Sequence, residues 1–462
     1  MFNPRPAQEK VLAYRGGWMG VSAVPGSGKT WTLSYLAADL LTEVEMADDQ
    51  ELLIVTFSNS AVDNFRRQID ALMRERGLLE GVGYRVRTLH GLAHDIVRER
   101  PGHADLANEF EIIDERESRR ILESAVDIYL RAHPDAWEAL LDPDLDDNQI
   151  QRTWSDRQRM VSQIALAVMR TAKDQEHIAE DLLSRIQGKE ALFPLATMGA
   201  AIYADYQHAL RSHGRVDFDD LIQLAVRALE WYPEYLETLR YRWMFILEDE
   251  AQDSSRLQEQ LLRMLVGETG NWVRVGDPNQ AIYESFTTSN PKFLRDFLEE
   301  DGVVKQDLPN SGRSTQTIMD LANYLVEWSR TAHPVDGVRG ALAPPPIVPT
   351  PPGDPQPNPD DSFSVVHFVR TKFDKDAELN AVAKSLIEWV PDHTDQTIAV
   401  LVPTNAKGAK LASWLAKHGL EVVELLRNTQ ATRSTAGSLA NVLACLDKPA
   451  SPARLATAFE VW

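Results

Sequence analysis

The sequence has little cysteine: Cys445 is alone among 462 residues. One thiol excludes an internal disulfide, a cysteine-rich zinc site and an iron–sulfur cluster, each of which needs several thiolates. Long apolar runs are missing as well. None reaches the roughly 18 consecutive apolar residues of a membrane-spanning helix, and Pro4, Arg5, Pro6, Gln8 and Glu9 stand where a secretion signal would have its apolar core. The expectation is a reducing, cytoplasmic setting and no membrane partner. Positive charge is in deficit, with 48 Lys and Arg against 69 Asp and Glu and a net charge of −21. Such a chain repels polyanions at long range, so any contact with nucleic acid requires a local basic groove. No self-similarity at a period of roughly 20 to 50 residues is visible, which disfavours solenoids and propellers.

What is present is a globular composition: 44% hydrophobic and 25% charged residues with a mean hydropathy of −0.31, sufficient for a sizeable core. At roughly 150 residues per domain the length points to about three domains. Short, continuously apolar runs at Trp18–Ala23, Leu52–Phe57, Trp243–Glu248 and Trp272–Gly276 read as parallel strands buried on both faces. Apolar residues at three- and four-residue spacing over Glu115–Ala132, Asp147–Arg170 and Leu192–His213 predict amphipathic helices, hence an all-helical insertion. From Val303 onward a second alternation begins, with strands expected at Ser364–Val369 and Thr397–Val402 and helices at Lys375–Trp389 and Asn405–His418. Nine of the 25 prolines fall between Pro344 and Pro359, a density read as an extended linker or surface insertion.

The run Ala23-Val24-Pro25-Gly26-Ser27-Gly28-Lys29-Thr30 follows an expected strand and opens an expected helix. Glycines there allow successive backbone N–H groups to turn toward phosphate oxygens, and the helix N-terminus adds positive potential. Lys29 would reach the terminal phosphates, and the Thr30 hydroxyl would hold a Mg²⁺ ion. The bland alternative is a glycine turn that merely joins strand to helix. Far downstream, in Phe245-Ile246-Leu247-Glu248-Asp249-Glu250-Ala251-Gln252-Asp253, a hydrophobic strand ends in carboxylates. Asp249 is the candidate Mg²⁺ ligand beside the loop, and Glu250 the candidate base that polarises an attacking water.

In this order and combination the motifs resemble those of the UvrD/Rep/PcrA-type DNA helicases of superfamily 1. Pro6-Ala7-Gln8 is similar to the glutamine motif of that family, which implies an adenine-reading role for Gln8. Thr56-Phe57-Ser58-Asn59-Ser60-Ala61 and Thr88-Leu89-His90-Gly91 resemble its DNA-contacting motifs, which implies that Phe57, Asn59 and His90 meet single-stranded DNA. Val216-Asp217-Phe218-Asp219-Asp220-Leu221 matches the segment before the acidic motif. Val275-Gly276-Asp277-Pro278-Asn279-Gln280-Ala281-Ile282-Tyr283 implies a γ-phosphate sensor at Gln280 and DNA contact at Tyr283, and Arg313-Ser314 implies an arginine from a second motor domain. The chain departs from the pattern at Gly312, where the family has an aromatic, and at Glu284-Ser285-Phe286.

The resemblance implies an α/β, P-loop NTPase (RecA-like) motor domain over 1–95 and 211–308, an all-helical insertion at 96–210, and part of a second RecA-like domain at 309–462 with a proline-rich insertion at 341–361. It also implies ATP and Mg²⁺ as cofactors and single-stranded DNA or a single/double-strand junction as the partner. Aromatics at Phe57, Tyr283 and Phe286 could each stack a base for roughly 1–3 kcal/mol, and Arg66, Arg67, Arg85, Arg87, Arg98 and Arg100 supply the local cations the composition demands. The late family motifs are not found before Trp462. The expectation is therefore an incomplete second domain, in a fragment or in a split helicase whose second chain supplies the rest. The rival readings are a nucleotide-dependent DNA-binding subunit without motor activity and a small-molecule kinase.

Overall fold

The computed structural model describes residues 3–281 apart from 108–109, 137–140 and 142–145, then 290–361, 366–423 and scattered positions beyond 438. Two compact units result, Met1–Val366 and His367–Trp462.

In the first unit, α1 (Pro6–Leu12) leads into β1 (Trp18–Ala23), α2 (Lys29–Glu43), β2 (Glu51–Thr56), α3 (Asn59–Glu75), β3 (Tyr84–Thr88) and α4 (Leu89–Glu99). A short strand, β4 (Glu111–Ile112), precedes α5 (Glu115–Ala132), α6 (Asp147–Asp174), α7 (Ala179–Ile186) and α8 (Pro194–Ser212), and β5 (Arg215–Val216) follows them. The chain then returns through α9 (Phe218–Trp231), α10 (Pro233–Arg242), β6 (Trp243–Glu248), α11 (Arg256–Val266), β7 (Asn271–Gly276), α12 (Lys292–Leu298), β8 (Val303–Leu308), β9 (Asn310–Ser311), α13 (Gln316–Ala332) and β10 (Val348–Pro349).

Six strands form one parallel sheet in the order β3-β2-β6-β7-β1-β8. The apolar runs are continuous because successive side chains enter opposite cores. Leu52, Ile54, Phe245, Leu247, Val273 and Val275 pack with α1, α2 and α3 on one face, while Leu53, Val55, Ile246 and Trp272 pack with α4, α9 and α11 on the other. Val303–Leu308, read from the sequence as the start of a second alternation, is the edge strand of this same sheet beside β1.

The strands β4 and β5 pair in parallel, Glu111 opposite Arg215, so the chain leaves for α5 and comes back from α8 at one place. Between them α5, α6 and α8 share a separate core around Val126, Val161, Met169, Tyr203 and Tyr206. This group is tied to the sheet-bearing part by charge. Lys173, near the end of α6, lies 2.6 Å from Asp217 and 2.8 Å from Asp220, the two residues that form the capping box of α9. The Tyr206 hydroxyl donates to Asp217 at 2.8 Å and the Gln207 amide to Asp220 at 3.0 Å. Burial alone would push the Lys173 ammonium toward its neutral form, but the two aspartates outweigh it and hold it charged.

The second unit contains α14 (Lys375–Trp389) and α15 (Asn405–Lys417), which pack through Leu379, Ala383, Leu411 and Leu415. The strands expected at Ser364–Val369 and Thr397–Val402 are not found. Residues 366–370 and 397–402 carry no strand, and 364–365 lie outside the described residues. Phe368, Val369 and Leu401 are exposed. An apolar alternation becomes a strand only where a neighbouring strand takes its N–H and C=O groups, and none is described beside these segments.

Candidate active site

Because all six strands run the same way, their carboxyl ends lie along one edge of the sheet, where ligands of open α/β sheets bind. The loop after β1, Phe57 after β2, His90 after β3, Asp249 and Glu250 after β6, Asp277 and Gln280 after β7, and Arg313 after β8 all emerge on that edge. Side-chain caps sharpen the turns into helices: Ser58 accepts from the Ala61 N–H and starts α3 at Asn59, and Thr88 accepts from Gly91 and starts α4.

The loop Val24–Gly28 wraps the N-terminus of α2. Gly26 and Gly28 adopt φ of 75° and 82°, a left-handed conformation that glycine alone takes without steric penalty. A Cβ on Gly26 would lie 2.6 Å from Cβ of Arg313 and 2.7 Å from Oγ of Ser311, so side chains at this turn are excluded twice over. The first N–H groups of α2 have no partner within the helix and face the cradle this loop makes.

Lys29, the first residue of α2, places its ammonium 3.3 Å from Oε2 of Glu250. Glu250 holds that position in a left-handed backbone, φ 56°, a strain on the order of 1 kcal/mol or more for a residue with a Cβ. Its carboxylate also accepts from the Gln252 amide at 2.8 Å, and the other end of that amide takes the N–H of Asp277 at 3.0 Å. One glutamine thus bridges the loops after β6 and β7.

Around Lys29 lie three further acids. Asp249 is buried, and its Oδ1 finds no hydrogen-bond partner; Oδ1 of Asp253, Oδ2 of Asp277 and Oγ of Ser27 are likewise unsatisfied. Orphaned polar atoms this concentrated are expensive unless a ligand completes them. Burial, and then the charge of Glu250, pushes Asp249 up to about 7 against the pull of Lys29. Burial and Glu250 push Asp253 up to about 6, and burial raises Asp277 as well. Among the described residues no three carboxylate, imidazole or thiolate groups converge to hold a metal by themselves. The unpaired oxygen of Asp249 and the hydroxyl of Thr30 at the helix start are the oxygen donors here that could hold a hard divalent cation.

The raised carboxyls carry a pH prediction. Asp249 keeps a proton in the folded chain that it would release unfolded between the ordinary carboxylate range near 4 and about 7, so its contribution to stability falls as pH rises through that window. Asp249→Asn removes the titration. The variant should match the parent's stability near pH 4 and exceed it at about pH 8, by a few kcal/mol at most; calorimetry showing the same gap at both values would contradict the assignment.

The other sequence candidates divide. Gln8 is buried against the loop, its Nε2 donating to the Ser27 carbonyl at 3.2 Å. Gln280 is half-buried, with its N–H on the Asp277 carbonyl, and Arg313 is exposed beside Gly26. Phe57 and His90 line a cavity of about 140 Å³ with Lys173, Asp219 and Asp253, apart from the exposed Asn59. Burial lowers the His90 imidazole against the opposing pull of Asp219. Tyr283 and Phe286 lie outside the described residues. Two of the expected groove cations are spoken for: Arg85 is paired with Glu51 at 2.8 Å and Arg87 with Asp95 at 2.7 Å, which narrows the basic surface that the sequence count suggests. Four participants were not foreseen as such: Arg5, Gln252, Asp253 and Asp277. The last three stand inside the quoted motif runs without a role of their own there, and those runs are the signal that could have found them.

The profile of the UvrD/REP helicase N-terminal domain matches residues 5–301. DNA helicase II of Escherichia coli (strain K12) and that of Salmonella typhimurium (strain LT2) are each 32% identical over 323 residues, 69% of this chain and 39% of theirs. ATP-dependent DNA helicase PcrA of Staphylococcus epidermidis is 25% identical over 333 residues, 72% of this chain and 41% of its own. The chain thus spans about two-fifths of the length of these relatives.

Proposed function

The chain belongs to the UvrD/REP helicase family, and from that premise we propose that it carries the ATP-hydrolysing core of an ATP-dependent DNA helicase or translocase acting on single-stranded DNA. The observation that carries the reading is the 3.3 Å pairing of Lys29 with Glu250 beneath the glycine loop, with the unpartnered oxygen of Asp249 beside it. Residues 1–95 and 211–308 form the first motor domain, 96–210 its helical insertion, and the second motor domain begins at 309.

Lys29 leaves Glu250 for the terminal phosphates of ATP. Thr30 and Asp249 would hold Mg²⁺, which neutralises phosphate charge. Glu250, released from the ammonium, accepts the proton of the attacking water. Gln280 senses the terminal phosphate and Arg313 approaches it across Gly26. Phe57, Asn59, His90 and Tyr283 contact the strand, and bases stack on the aromatics.

The deciding measurement is ATP hydrolysis by the purified chain with and without single-stranded DNA. Stimulation supports a motor core, and hydrolysis indifferent to DNA, or absent, counts against it. Glu250→Gln keeps the shape of the site but cannot take a proton. It should bind Mg·ATP with the parent's affinity or better while turning over at least about a hundredfold more slowly. Loss of ATP affinity in this variant would remove Glu250 from the role of base.

A further inference from the structure

Arg5 precedes α1 and is buried, with 8% of its side chain exposed. Its Nε lies 2.7 Å from Oδ2 of Asp354 and its Nη2 donates to Oδ1 at 3.3 Å, a two-point pairing with an acid from the proline-rich segment. That pairing holds the Asp354 carboxyl below the usual carboxylate range. The remaining guanidinium nitrogen, Nη1, donates to the Asn310 carbonyl at 3.0 Å and to the Ser27 carbonyl at 3.5 Å. The backbone N–H of Arg5 donates to Oε1 of Gln8 at 2.9 Å, and Nε2 of the same glutamine donates to the Ser27 carbonyl.

The Ser27 carbonyl is therefore drawn toward α1 by two donors. A trans peptide is planar with C=O and N–H opposed, so the Gly28 N–H of that same peptide is turned to the opposite side, into the cradle. The proline-rich segment secures the neighbouring turn too. Nδ2 of Asn358 donates to the carbonyls of Ser311 and Ser314 at 2.6 and 2.8 Å, β10 pairs with β9, and the Gln356 carbonyl lies 2.6 Å from where a Cβ on Gly312 would be. The Gly312 N–H in turn donates to the Gly26 carbonyl at 3.4 Å. The segment read from its prolines as an extended linker or surface insertion packs, over Asp354–Asn358, against the back of the phosphate loop.

We propose that Arg5, clamped by Asp354 of the proline-rich segment, is a positioning residue that sets the Ser27–Gly28 peptide for phosphate binding. The proposal rests on the nucleotide-binding reading above and assigns the segment a part in that same site. Its ligand class is the polyphosphate of a nucleotide rather than its base.

The test is calorimetric binding of Mg·ATP and Mg·tripolyphosphate to the 462-residue chain and to Asp354→Asn, Asp354→Glu, Arg5→Met and the Arg5→Met/Asp354→Asn double variant, with Lys29→Ala as control. Asp354→Asn and Arg5→Met should each weaken both probes about tenfold, the scale of one lost hydrogen bond to a charged group. The double variant should lose no more than Arg5→Met alone, and Asp354→Glu should recover most of the affinity. Parent-like binding of both probes by Asp354→Asn, with binding lost in Lys29→Ala, overturns the brace and leaves the nucleotide reading intact. A lower melting temperature with unchanged affinity overturns it in favour of a merely structural clamp. A parent chain that binds neither probe overturns the nucleotide reading and the brace with it.

Discussion

Lys29→Ala is expected to reduce ATP turnover by on the order of a thousandfold, the scale of losing a preorganised charge aimed at the transition state. The lysine belongs to no apolar core; it stands in the carboxylate group of Glu250, Asp249, Asp253 and Asp277. Its removal also changes stability in a pH-dependent way. Without the ammonium the raised carboxyls rise further, so the variant should melt close to the parent near pH 3, below the ordinary carboxylate range, and below it near pH 8. Steady-state hydrolysis and melting at the two pH values check both halves. Normal turnover would show that the glycine loop is only a turn.

The largest loss of stability is expected from Lys173→Met. The change leaves Asp217 and Asp220 buried without their cation, a situation that costs about 3–5 kcal/mol. Asp220 is already raised by burial and by Asp217, whereas at Asp217 burial is outweighed by Lys173, which holds the carboxyl down. The deficit should therefore be greatest at neutral pH and shrink as acid neutralises both carboxyls. Adding Asp217→Asn and Asp220→Asn to Lys173→Met should restore part of it. Denaturant unfolding of the single and triple variants measures the difference, and a loss below about 0.5 kcal/mol for the single variant would mean that the joint between α6 and α9 is held by packing alone.

Much of this architecture could be read from residue order. The four apolar runs became β1, β2, β6 and β7 because their composition reports burial on two faces, and Glu115–Ala132 became α5 over the same residues. Two strands of the sheet escaped for a physical reason. At the edge beside β2, β3 alternates buried Tyr84 and Val86 with Arg85 and Arg87, and edge strand β8 is largely polar, with Lys305, Gln306 and Asp307. Edge strands bury one face or less, so they lack the continuous signal. Conversely, Arg274 sits wholly buried inside β7, paired at 2.7 Å with Glu248 of the adjoining β6. Neither charge alone suggests a core position; the sheet register brings them together.

The site divides in the same manner. Lys29, Asp249 and Glu250 stand out as candidates because they sit in recognisable local runs, a glycine loop that opens α2 and an apolar strand that ends in carboxylates, and the fold brings Lys29 within 3.3 Å of Glu250. Arg5 and Asp354 are not, since nothing in a lone arginine near the N-terminus or an aspartate among prolines announces a partner so far along the chain. Pairings of that kind depend on the closed fold and not on any local pattern.

The strand order also bears on how the chain is made. Translation delivers β1 first among the strands, yet both of its neighbours in the sheet, β7 and β8, lie more than two hundred residues downstream. At about 5–20 residues per second, Trp18–Ala23 and the glycine loop behind it wait on the order of tens of seconds for partners. During that interval the nascent chain presents an apolar strand with both edges open, of the sort that invites mispairing. Both edges of β1 are closed only when β7 and β8 arrive, so the period of synthesis, and not the finished sheet, leaves this strand open to mispairing.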